Sequence, residues 1–377
     1  MREYLLVMFV AGATTFLLTG VARQFATKVG AVAKVRTRDV HAIPIPYFGG
    51  VAIMAGLTAA FLVASSLPFL GSDRQVGIDS RAVLLGGLVI CAVGVVDDLL
   101  ELDAITKLAG EVLAVGVIVA QGIQLYWIPL PGGILAPPPA QLAVITAGIL
   151  LVSMNAVNFV DGLDGLAAGV VAIGALAFFT YSYLLNVEQG LTRATTASLI
   201  TAALTGACLG FLPHNFFPAR VFMGDSGALL IGLMLAASTI SLTGQMDSKA
   251  IPYEPGGSSL LPTLLPLVLP VAVLAIPALD LTMAYIRRTK AGRSPLAADK
   301  QHLHHRLLER GHSHRRAVLL MYLWTALIGF GVVVLGLLLS WWTVLLVLAV
   351  TAAAIVLTTG LPGRSSVKPS AKTPTKA

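Results

Sequence analysis

Five aspartates lie where apolar segments of this sequence end or begin. They form two pairs and a single residue: Asp97 and Asp98, Asp161 and Asp164, and Asp225. One aspartate at such a boundary is typical of a helix cap. Five at one predicted membrane boundary favour chemistry instead, because ionisable groups beside membrane spans are expensive to maintain. Mg²⁺ binds carboxylate oxygens together with substrate phosphates, so the aspartates predict a site for Mg²⁺ and a phosphorylated substrate.

Asparagine and aspartate recur every three residues in one stretch of the chain, at Asn155, Asn158, Asp161 and Asp164. Residues three apart are neighbours on a helix, so the four side chains are predicted to form one polar stripe. Such a stripe cannot face lipid, where its hydrogen-bonding groups would have no partners. We expect it to line a cleft.

A second motif, Phe-Met-Gly-Asp-Ser-Gly at 222–227, places Asp225 between two glycines just before an apolar segment. Glycine lets a phosphate or a metal ion approach the backbone closely. The N-terminus of a helix also offers free N–H groups to an anion. The motif is weak alone, but beside the other aspartates it favours the same phosphate and metal site.

The segment 287–316 is the most basic part of the chain, and it contains a histidine cluster. The cluster comprises His302, His304, His305 and Arg306. In a helix, His302, His305 and Arg306 would share a face. Three histidines could bind zinc, which stays the second interpretation, but no cysteine is nearby and the surrounding Arg and Lys favour a pyrophosphate. Two further histidines are predicted to be solvated: His312 and His314.

An acidic metal site and a basic anion site on one membrane face together indicate an enzyme that catalyses phosphoryl transfer. A secondary transporter is the main alternative from another class of protein. Transporters place their sites near the bilayer midplane, on broken helices from repeated halves. Here the acids cluster at one boundary, and no internal repeat is visible. A structural scaffold would not need five carboxylates at the interface.

The elements that must position these residues are membrane helices. Of the 377 residues, 56% are hydrophobic and 11% are charged, against about 25% charged in a soluble domain. Too few residues are charged to cover a surface that faces water, and we therefore expect most of the protein surface to face lipid. The net charge of +7 could suggest nucleic acid. In a membrane protein, however, basic loops set topology and meet anionic headgroups or phosphorylated substrates, so no nucleic-acid partner is expected.

The sequence predicts an all-α polytopic membrane protein with eleven transmembrane helices. The predicted spans are 3–22, 48–70, 81–96, 108–127, 140–157, 166–186, 193–212, 228–243, 260–286, 317–338 and 341–360. A basic cluster at 23–38 follows the first span, so the N-terminus is predicted outside and the C-terminus in the cytoplasm. Twenty of the 25 Lys and Arg residues fall in the segments that this topology places inside.

Residues 1–360 are predicted to form a single integral-membrane catalytic domain. Residues 361–377 are predicted to be a disordered basic cytoplasmic tail, because they lack an apolar face. Cys91 and Cys208 fall inside apolar segments and are predicted to be packing residues with no disulfide between them.

These motifs resemble the polyprenyl-phosphate N-acetylhexosamine-1-phosphate transferase family. The resemblance rests on five segments, which are His41–Pro46 with Gly49 and Gly50, Val96–Leu99, Asn155–Gly165, Asn215 with Phe222–Asp225, and His302–Arg306. The muramoyl-pentapeptide branch of the family has three consecutive histidines, which Leu303 interrupts here. The sequence is more similar to the undecaprenyl- or decaprenyl-phosphate GlcNAc-1-phosphate transferase branch. Phospho-N-acetylmuramoyl-pentapeptide transfer is the alternative.

The resemblance implies that GlcNAc 1-phosphate passes from UDP-GlcNAc to a polyprenyl phosphate, with release of UMP. This would be the first membrane step of a cell-envelope glycan such as lipopolysaccharide, teichoic acid or arabinogalactan. The resemblance implies Mg²⁺, with Mn²⁺ as a substitute, and an active site on the cytoplasmic face of the bacterial plasma membrane. The expected partners are a UDP-N-acetylhexosamine, polyprenyl phosphate and the lipid bilayer, and a homodimer is left open.

The resemblance also implies roles for individual residues. The implied metal ligands are Asp225 and Asp161, and the implied catalytic carboxylates are Asp97, Asp98, Asp161 and Asp164. The implied substrate-binding residues are Lys107, Asn155, Asn158, Asn215, Phe222, His302, His304, His305 and Arg306. A phosphate monoester is mostly dianionic at pH 7, so Asp97 is predicted mainly to orient the lipid phosphate. A two-step route through an aspartyl phosphate stays open.

Overall fold

A computed structural model describes residues 1–33, 44–130, 133–189, 194–245, 313–338 and 341–359 and the single residue 289. Within these residues the chain forms ten α-helices and one short β-hairpin. The helices are α1 (Arg2–Val29), α2 (Gly49–Ser65), α3 (Arg74–Leu100), α4 (Ala104–Ala120), α5 (Pro139–Val160), α6 (Leu166–Gln189), α7 (Ala194–Asn215), α8 (Gly224–Gln245), α9 (His314–Leu337) and α10 (Trp341–Thr359). Strands β1 (Ile128–Leu130) and β2 (Gly133–Leu135) pair antiparallel between α4 and α5.

Seven of the described helices are long and apolar enough to cross a membrane: α1, α3, α5, α6, α7, α8 and α9. Helix α2 and most of α10 are apolar but shorter. The prediction of a helical membrane protein is therefore confirmed, with the hairpin as a small addition. Ten of the predicted spans each overlap one described helix, and the remaining span, 260–286, lies outside the described residues.

Helix α8 is the centre of the bundle. Within its apolar segment Gly224–Thr243, every residue from Ser226 onward is buried, whereas 22% of the apolar segment of α1 is buried. A helix that is apolar on every side is typical of such a central position, and α8 packs against α2, α3, α5 and α7. The outer helices expose large apolar side chains, such as Phe9 on α1 and Val144 on α5. Lipid tails are as apolar as these side chains, so the exposed faces fit a bilayer.

A tight turn brings α4 back beside α3. Glu101 ends α3 with a left-handed φ of 52°, and Asp103 then begins α4 by accepting a hydrogen bond from the Ile105 N–H at 3.0 Å. Capping by an aspartate satisfies an N–H group that has no partner inside the helix. Because the turn is short, the first turn of α4 lies next to the last turn of α3.

Two predictions about individual residues outside the site have opposite outcomes. The thiols of Cys91 and Cys208 are buried and form no disulfide, as predicted. His314, which was predicted to be solvated, is instead buried, and its ring stacks on Phe217 with the ring centroids 4.4 Å apart. The prediction was wrong because the covering residue comes from the distant loop between α7 and α8. His312 lies outside the described residues.

Candidate active site

The last turn of α3 is hydrogen-bonded to the first turn of α8. Asp98 Oδ1 accepts a hydrogen bond from the Asp225 N–H at 2.9 Å, and Asp98 Oδ2 accepts one from the Ser226 hydroxyl at 2.9 Å. The first N–H groups of a helix lack partners within it, and a carboxylate there also meets the positive end of the helix dipole. Asp98 therefore caps α8 from another helix and fixes the position of Asp225.

Lys107 joins α3 to α8 by pairing with an aspartate on each helix. Its Nζ lies 3.0 Å from Asp97 Oδ2 and forms an ion pair with Asp225 Oδ2. The other oxygen of Asp97 accepts a hydrogen bond from the Leu102 N–H at 2.8 Å. Both oxygens of Asp97 are thus engaged, and two carboxylates share one ammonium group.

Two glycines allow the start of α8 to lie against α2 and α3. A Cβ atom added to Gly94 of α3 would overlap the backbone of Ser226, and one added to Gly50 of α2 would overlap the backbone at Gly227. A side chain at either position would therefore push α8 away. The close approach sets the distance between Asp98 and the N–H groups that it caps.

Phe222, a predicted substrate-binding residue, pairs through its backbone with the segment before α2. Its N–H donates to the Pro46 carbonyl at 2.9 Å, and its carbonyl accepts from the Gly49 N–H at 3.1 Å. This pairing brings the described part of the first family-like motif against the motif that carries Asp225. Residues 41–43 of that first motif lie outside the described residues.

The polar stripe predicted on one helix is divided between a helix and a turn. Helix α5 ends at Val160, so Asn155 and Asn158 are helical whereas Asp161 and Asp164 follow the helix. The glycine after Asp164 adopts a φ of 78°, which is favourable for glycine but not for a helix. The prediction of one continuous helical face was wrong. A three-residue spacing of polar side chains does not indicate where a helix ends, and α5 ends between Asn158 and Asp161.

Asp164 and Asn215 brace the loop between α7 and α8. Asp164 is buried and accepts a hydrogen bond from the Ala219 N–H at 2.9 Å. Asn215 accepts a hydrogen bond from the Gly165 N–H at 2.9 Å and donates one to the Val221 carbonyl at 3.0 Å. These contacts hold the loop that leads into α8. The catalytic role of Asp164 stays a prediction.

Asp161 lies among groups of like charge. Burial, with the carboxylates of Asp225, Asp98 and Asp164, raises its pKa to about 7. Loss of water and neighbouring negative charge both disfavour an ionised carboxylate. Lys107 forms ion pairs with two nearby acids, Asp97 and Asp225. The site therefore carries more negative charge than Lys107 balances, which favours binding of a further cation.

The side chains of the site have the chemistry that Mg²⁺ requires. Mg²⁺ prefers oxygen ligands and typically takes one or two carboxylates together with substrate phosphates. Within the part of the chain that the structure describes, no three His, Cys, Asp or Glu side chains are gathered around a single metal position. Lys107 also engages an oxygen of Asp225. A metal ion at that oxygen would require Lys107 to release it, and the metal role of Asp225 and Asp161 stays a prediction.

Two residues of the site were missed from the sequence. Ser226 donates to Asp98, as described above. Glu111 lies one helical turn after Lys107 on α4 and accepts a hydrogen bond from Asn155 Nδ2 at 2.6 Å. A carboxylate inside an apolar segment is itself a functional signal. Its spacing of four residues from Lys107 places both on one helical face, so the sequence did contain the information.

The histidine cluster cannot be placed relative to these acids. The residues His302, His304, His305 and Arg306 lie outside the described residues. Their predicted contact with pyrophosphate stays a prediction. Asn158, by contrast, is described, and it lies half-buried in the last turn of α5 beside the turn that carries Asp161.

Comparison with known proteins connects this arrangement to one family. The sequence pattern of Glycosyl transferase family 4 matches residues 80–243, which include the described acids of the site. The chain is 46% identical over 335 residues to a decaprenyl-phosphate N-acetylglucosaminephosphotransferase of Mycolicibacterium smegmatis, covering 88% of this chain and 82% of that protein. It is 33% identical to a probable undecaprenyl-phosphate N-acetylglucosaminyl 1-phosphate transferase of Bacillus subtilis, covering 82% of this chain and 78% of that protein.

A third relative bears on the alternative activity. A phospho-N-acetylmuramoyl-pentapeptide-transferase of Desulforudis audaxviator is 34% identical, but the match covers 54% of this chain and 64% of that protein. The similarity to the N-acetylglucosamine enzymes extends over more of the chain. The chain belongs to glycosyl transferase family 4 and is a membrane-embedded phospho-sugar transferase.

Proposed function

We propose that this enzyme transfers GlcNAc 1-phosphate from UDP-GlcNAc to a polyprenyl phosphate, giving polyprenyl-diphospho-GlcNAc and UMP. The observation that carries the proposal is the convergence of Asp97 and Asp225 on Lys107, with Asp98 holding the two helices together. The activities after which the two N-acetylglucosamine relatives are named support the choice of sugar. The reaction would begin a cell-envelope glycan such as lipopolysaccharide, teichoic acid or arabinogalactan.

The proposed chemistry is a displacement at the β-phosphorus of the nucleotide sugar. An oxygen of the polyprenyl phosphate forms a bond to this phosphorus while the bond to the bridging oxygen breaks, and UMP leaves with the electron pair. The attacking phosphate is mostly dianionic at pH 7 because its second pKa is near 6. The reaction therefore needs orientation of the nucleophile more than a strong base.

Asp97 is suited to orientation rather than to covalent catalysis. Its two oxygens are engaged by Lys107 and by the Leu102 N–H. To attack phosphorus itself, the carboxylate would have to give up one of these contacts. We therefore favour the direct route over one through an aspartyl phosphate.

Asp225 and Asp161 are the proposed ligands of Mg²⁺, for which Mn²⁺ would substitute. The ion, when bound, would neutralise charge on the pyrophosphate oxygens of the nucleotide sugar. Lys107 would then give up Asp225 while keeping Asp97 in place. Asp98 would remain on the first turn of α8, because its partners are backbone and hydroxyl groups that a metal ion does not replace.

The proposed topology has eleven spans, with the N-terminus outside and the active site on the cytoplasmic face of the bacterial plasma membrane. Its support is the position of the acids, which lie in the last turn of α3, in the first turn of α8 and in the turn after α5. All three boundaries lie inside when the basic segment 23–38 is assigned to the cytoplasm.

A reconstituted assay tests the proposed activity. The purified protein in lipid nanodiscs is given polyprenyl phosphate and Mg²⁺ with either UDP-GlcNAc or UDP-N-acetylmuramoyl-pentapeptide, and UMP and the lipid product are measured. We expect UMP and polyprenyl-diphospho-GlcNAc with UDP-GlcNAc. Product with the pentapeptide donor alone would establish the alternative activity. No product with either donor from correctly folded protein would contradict the proposal.

A further inference from the structure

A buried carboxylate stands beside the site on the helix that carries Lys107. Glu111 is 2% exposed, and its Oε2 accepts a hydrogen bond from Asn155 Nδ2 at 2.6 Å. A buried carboxylate is costly unless it is hydrogen-bonded. The pair therefore constrains both side chains tightly.

The contacts of Asn155 determine which way round its amide stands. Nδ2 donates to Glu111 and also to the Leu151 carbonyl, at 3.0 Å. Both of these partners are acceptors, so the NH₂ group must face them and both of its hydrogens are used. Turning the amide over would place its oxygen against two acceptors. The carbonyl Oδ1 is consequently the end that can serve a ligand, and Asn155 is only half-buried.

We propose that Glu111 is a positioning residue, which holds Asn155 so that its Oδ1 accepts a hydrogen bond from a hydroxyl or N–H group of the nucleotide sugar. The inference rests on the proposed function, because it names the donor substrate of that reaction. Helix α4 then acts twice in the site. Lys107 ties the acids of α3 to α8, and Glu111, one turn later, orients the amide of α5.

Steady-state kinetics of Glu111→Leu test the proposal. Without its acceptor, the amide of Asn155 is free to turn, and binding of the nucleotide sugar weakens. We expect KM for UDP-GlcNAc to rise roughly 3- to 10-fold, the loss typical of one hydrogen bond between neutral groups. KM for polyprenyl phosphate should change by less than about two-fold, since uniform binding of the other substrate is untouched. Glu111→Gln keeps an acceptor oxygen and should restore most of the affinity.

Two comparisons separate positioning from general packing. Val115→Ala removes buried volume from the same helix without a hydrogen bond, and it should leave KM for UDP-GlcNAc near the wild-type value. In an Asn155→Ala background, Glu111→Leu should add less than about a two-fold further effect, because contacting residues are not additive. Thermal unfolding of each variant shows whether it is folded.

An exchange of the two groups keeps the test open if Glu111→Leu does not fold. Asn155→Asp alone would set two carboxylates against each other and should lower affinity for UDP-GlcNAc. Adding Glu111→Gln restores an acid–amide pair and should recover part of the affinity, because an oxygen of residue 155 still faces the Leu151 carbonyl. Three results would overturn the proposal. The first is that the effects of Asn155→Ala and Glu111→Leu on KM for UDP-GlcNAc multiply when the two substitutions are combined. The others are an equal change in both KM values in Glu111→Leu, and an Asn155→Asp/Glu111→Gln variant that recovers no affinity. The proposed function itself fails only if the wild-type protein releases no UMP from UDP-GlcNAc.

Discussion

At the residue scale, three aspartates that stand close together have different tasks because their partners differ. Asp97 is held by Lys107 and the Leu102 N–H, and Asp98 caps the first turn of α8. Asp225 shares Lys107 with Asp97, and a lysine side chain can move away when a metal ion arrives. Asp225 is therefore the acid that can most readily leave its partner, and it is also the proposed metal ligand.

The charges around Asp161 predict how stability depends on pH. Its pKa is raised to about 7 in the folded protein, against about 3.9 for aspartate in an unfolded chain. The folded state holds this proton more tightly, so the stabilisation is complete below about pH 4 and is lost as pH rises through about 7. In buffer without Mg²⁺, the wild-type Tm should fall over this range more steeply than that of Asp161→Asn.

Thermal unfolding in detergent between about pH 4 and pH 8 measures this difference. Other groups titrate in both proteins, so the informative quantity is the difference between the two curves. Parallel curves would show that Asp161 is not perturbed by its neighbours. Added Mg²⁺ should stabilise the wild-type protein most at the upper end of the range, where Asp161 is ionised.

At the element scale, the sequence predicted the helices better than their meeting points. Apolar length located ten described helices, because it is a local property of the sequence. The turn after Val160 was missed, since the three-residue periodicity of the polar residues does not show where a helix ends. The partners of Asp98 and Glu111 could not be predicted, because they lie on α8 and α5, far away in sequence.

The contact of α3 with α8 predicts a large effect of one methyl group. A Cβ at Gly94 would overlap the backbone of Ser226. Gly94→Ala should therefore displace Asp98 from α8, and overpacking of this kind typically costs about 1–3 kcal/mol. We expect turnover to fall at least about 10-fold, because a small misplacement of catalytic groups costs far more rate than stability.

Gly116→Ala is the matched control for this substitution. Gly116 lies on α4, and a Cβ there would meet nothing within 4 Å. Alanine is the better helix former by about 1 kcal/mol, so the control should be neutral or slightly stabilising. UMP release and Tm are compared for both variants. Equal behaviour of the two would show that the α3–α8 contact does not position the site.

At the scale of the whole molecule, one central helix and its neighbours gather the acids at one end of the bundle. Helix α8 is buried from Ser226 to Thr243, while α1 and α10 present apolar side chains to their surroundings. The arrangement suits an enzyme whose donor is dissolved in water and whose acceptor is dissolved in lipid. Both substrates can reach the same boundary only if the acids lie at the membrane surface.

Labelling from the two sides of the membrane tests the proposed topology. Cysteines are introduced singly at Gln75, which is exposed near the start of α3, and at Lys372 in the basic tail. The native Cys91 and Cys208 are buried and should stay unreactive. A membrane-impermeant thiol reagent should label position 75 from outside and position 372 from the cytoplasm. Labelling of both from one side would contradict the eleven-span topology.

Mg²⁺-dependent UMP release by Asp225→Asn, measured beside the wild type, tests the central claim most directly. The substitution keeps the shape of the side chain and removes its charge. Asp103→Asn is the control, because Asp103 is exposed at the start of α4 and asparagine caps a helix equally well. We expect Asp225→Asn to lose at least about 10²–10³-fold in turnover, partly restored by raised Mg²⁺, while Asp103→Asn stays near the wild-type rate. Near-normal turnover of folded Asp225→Asn at limiting Mg²⁺ would contradict the account.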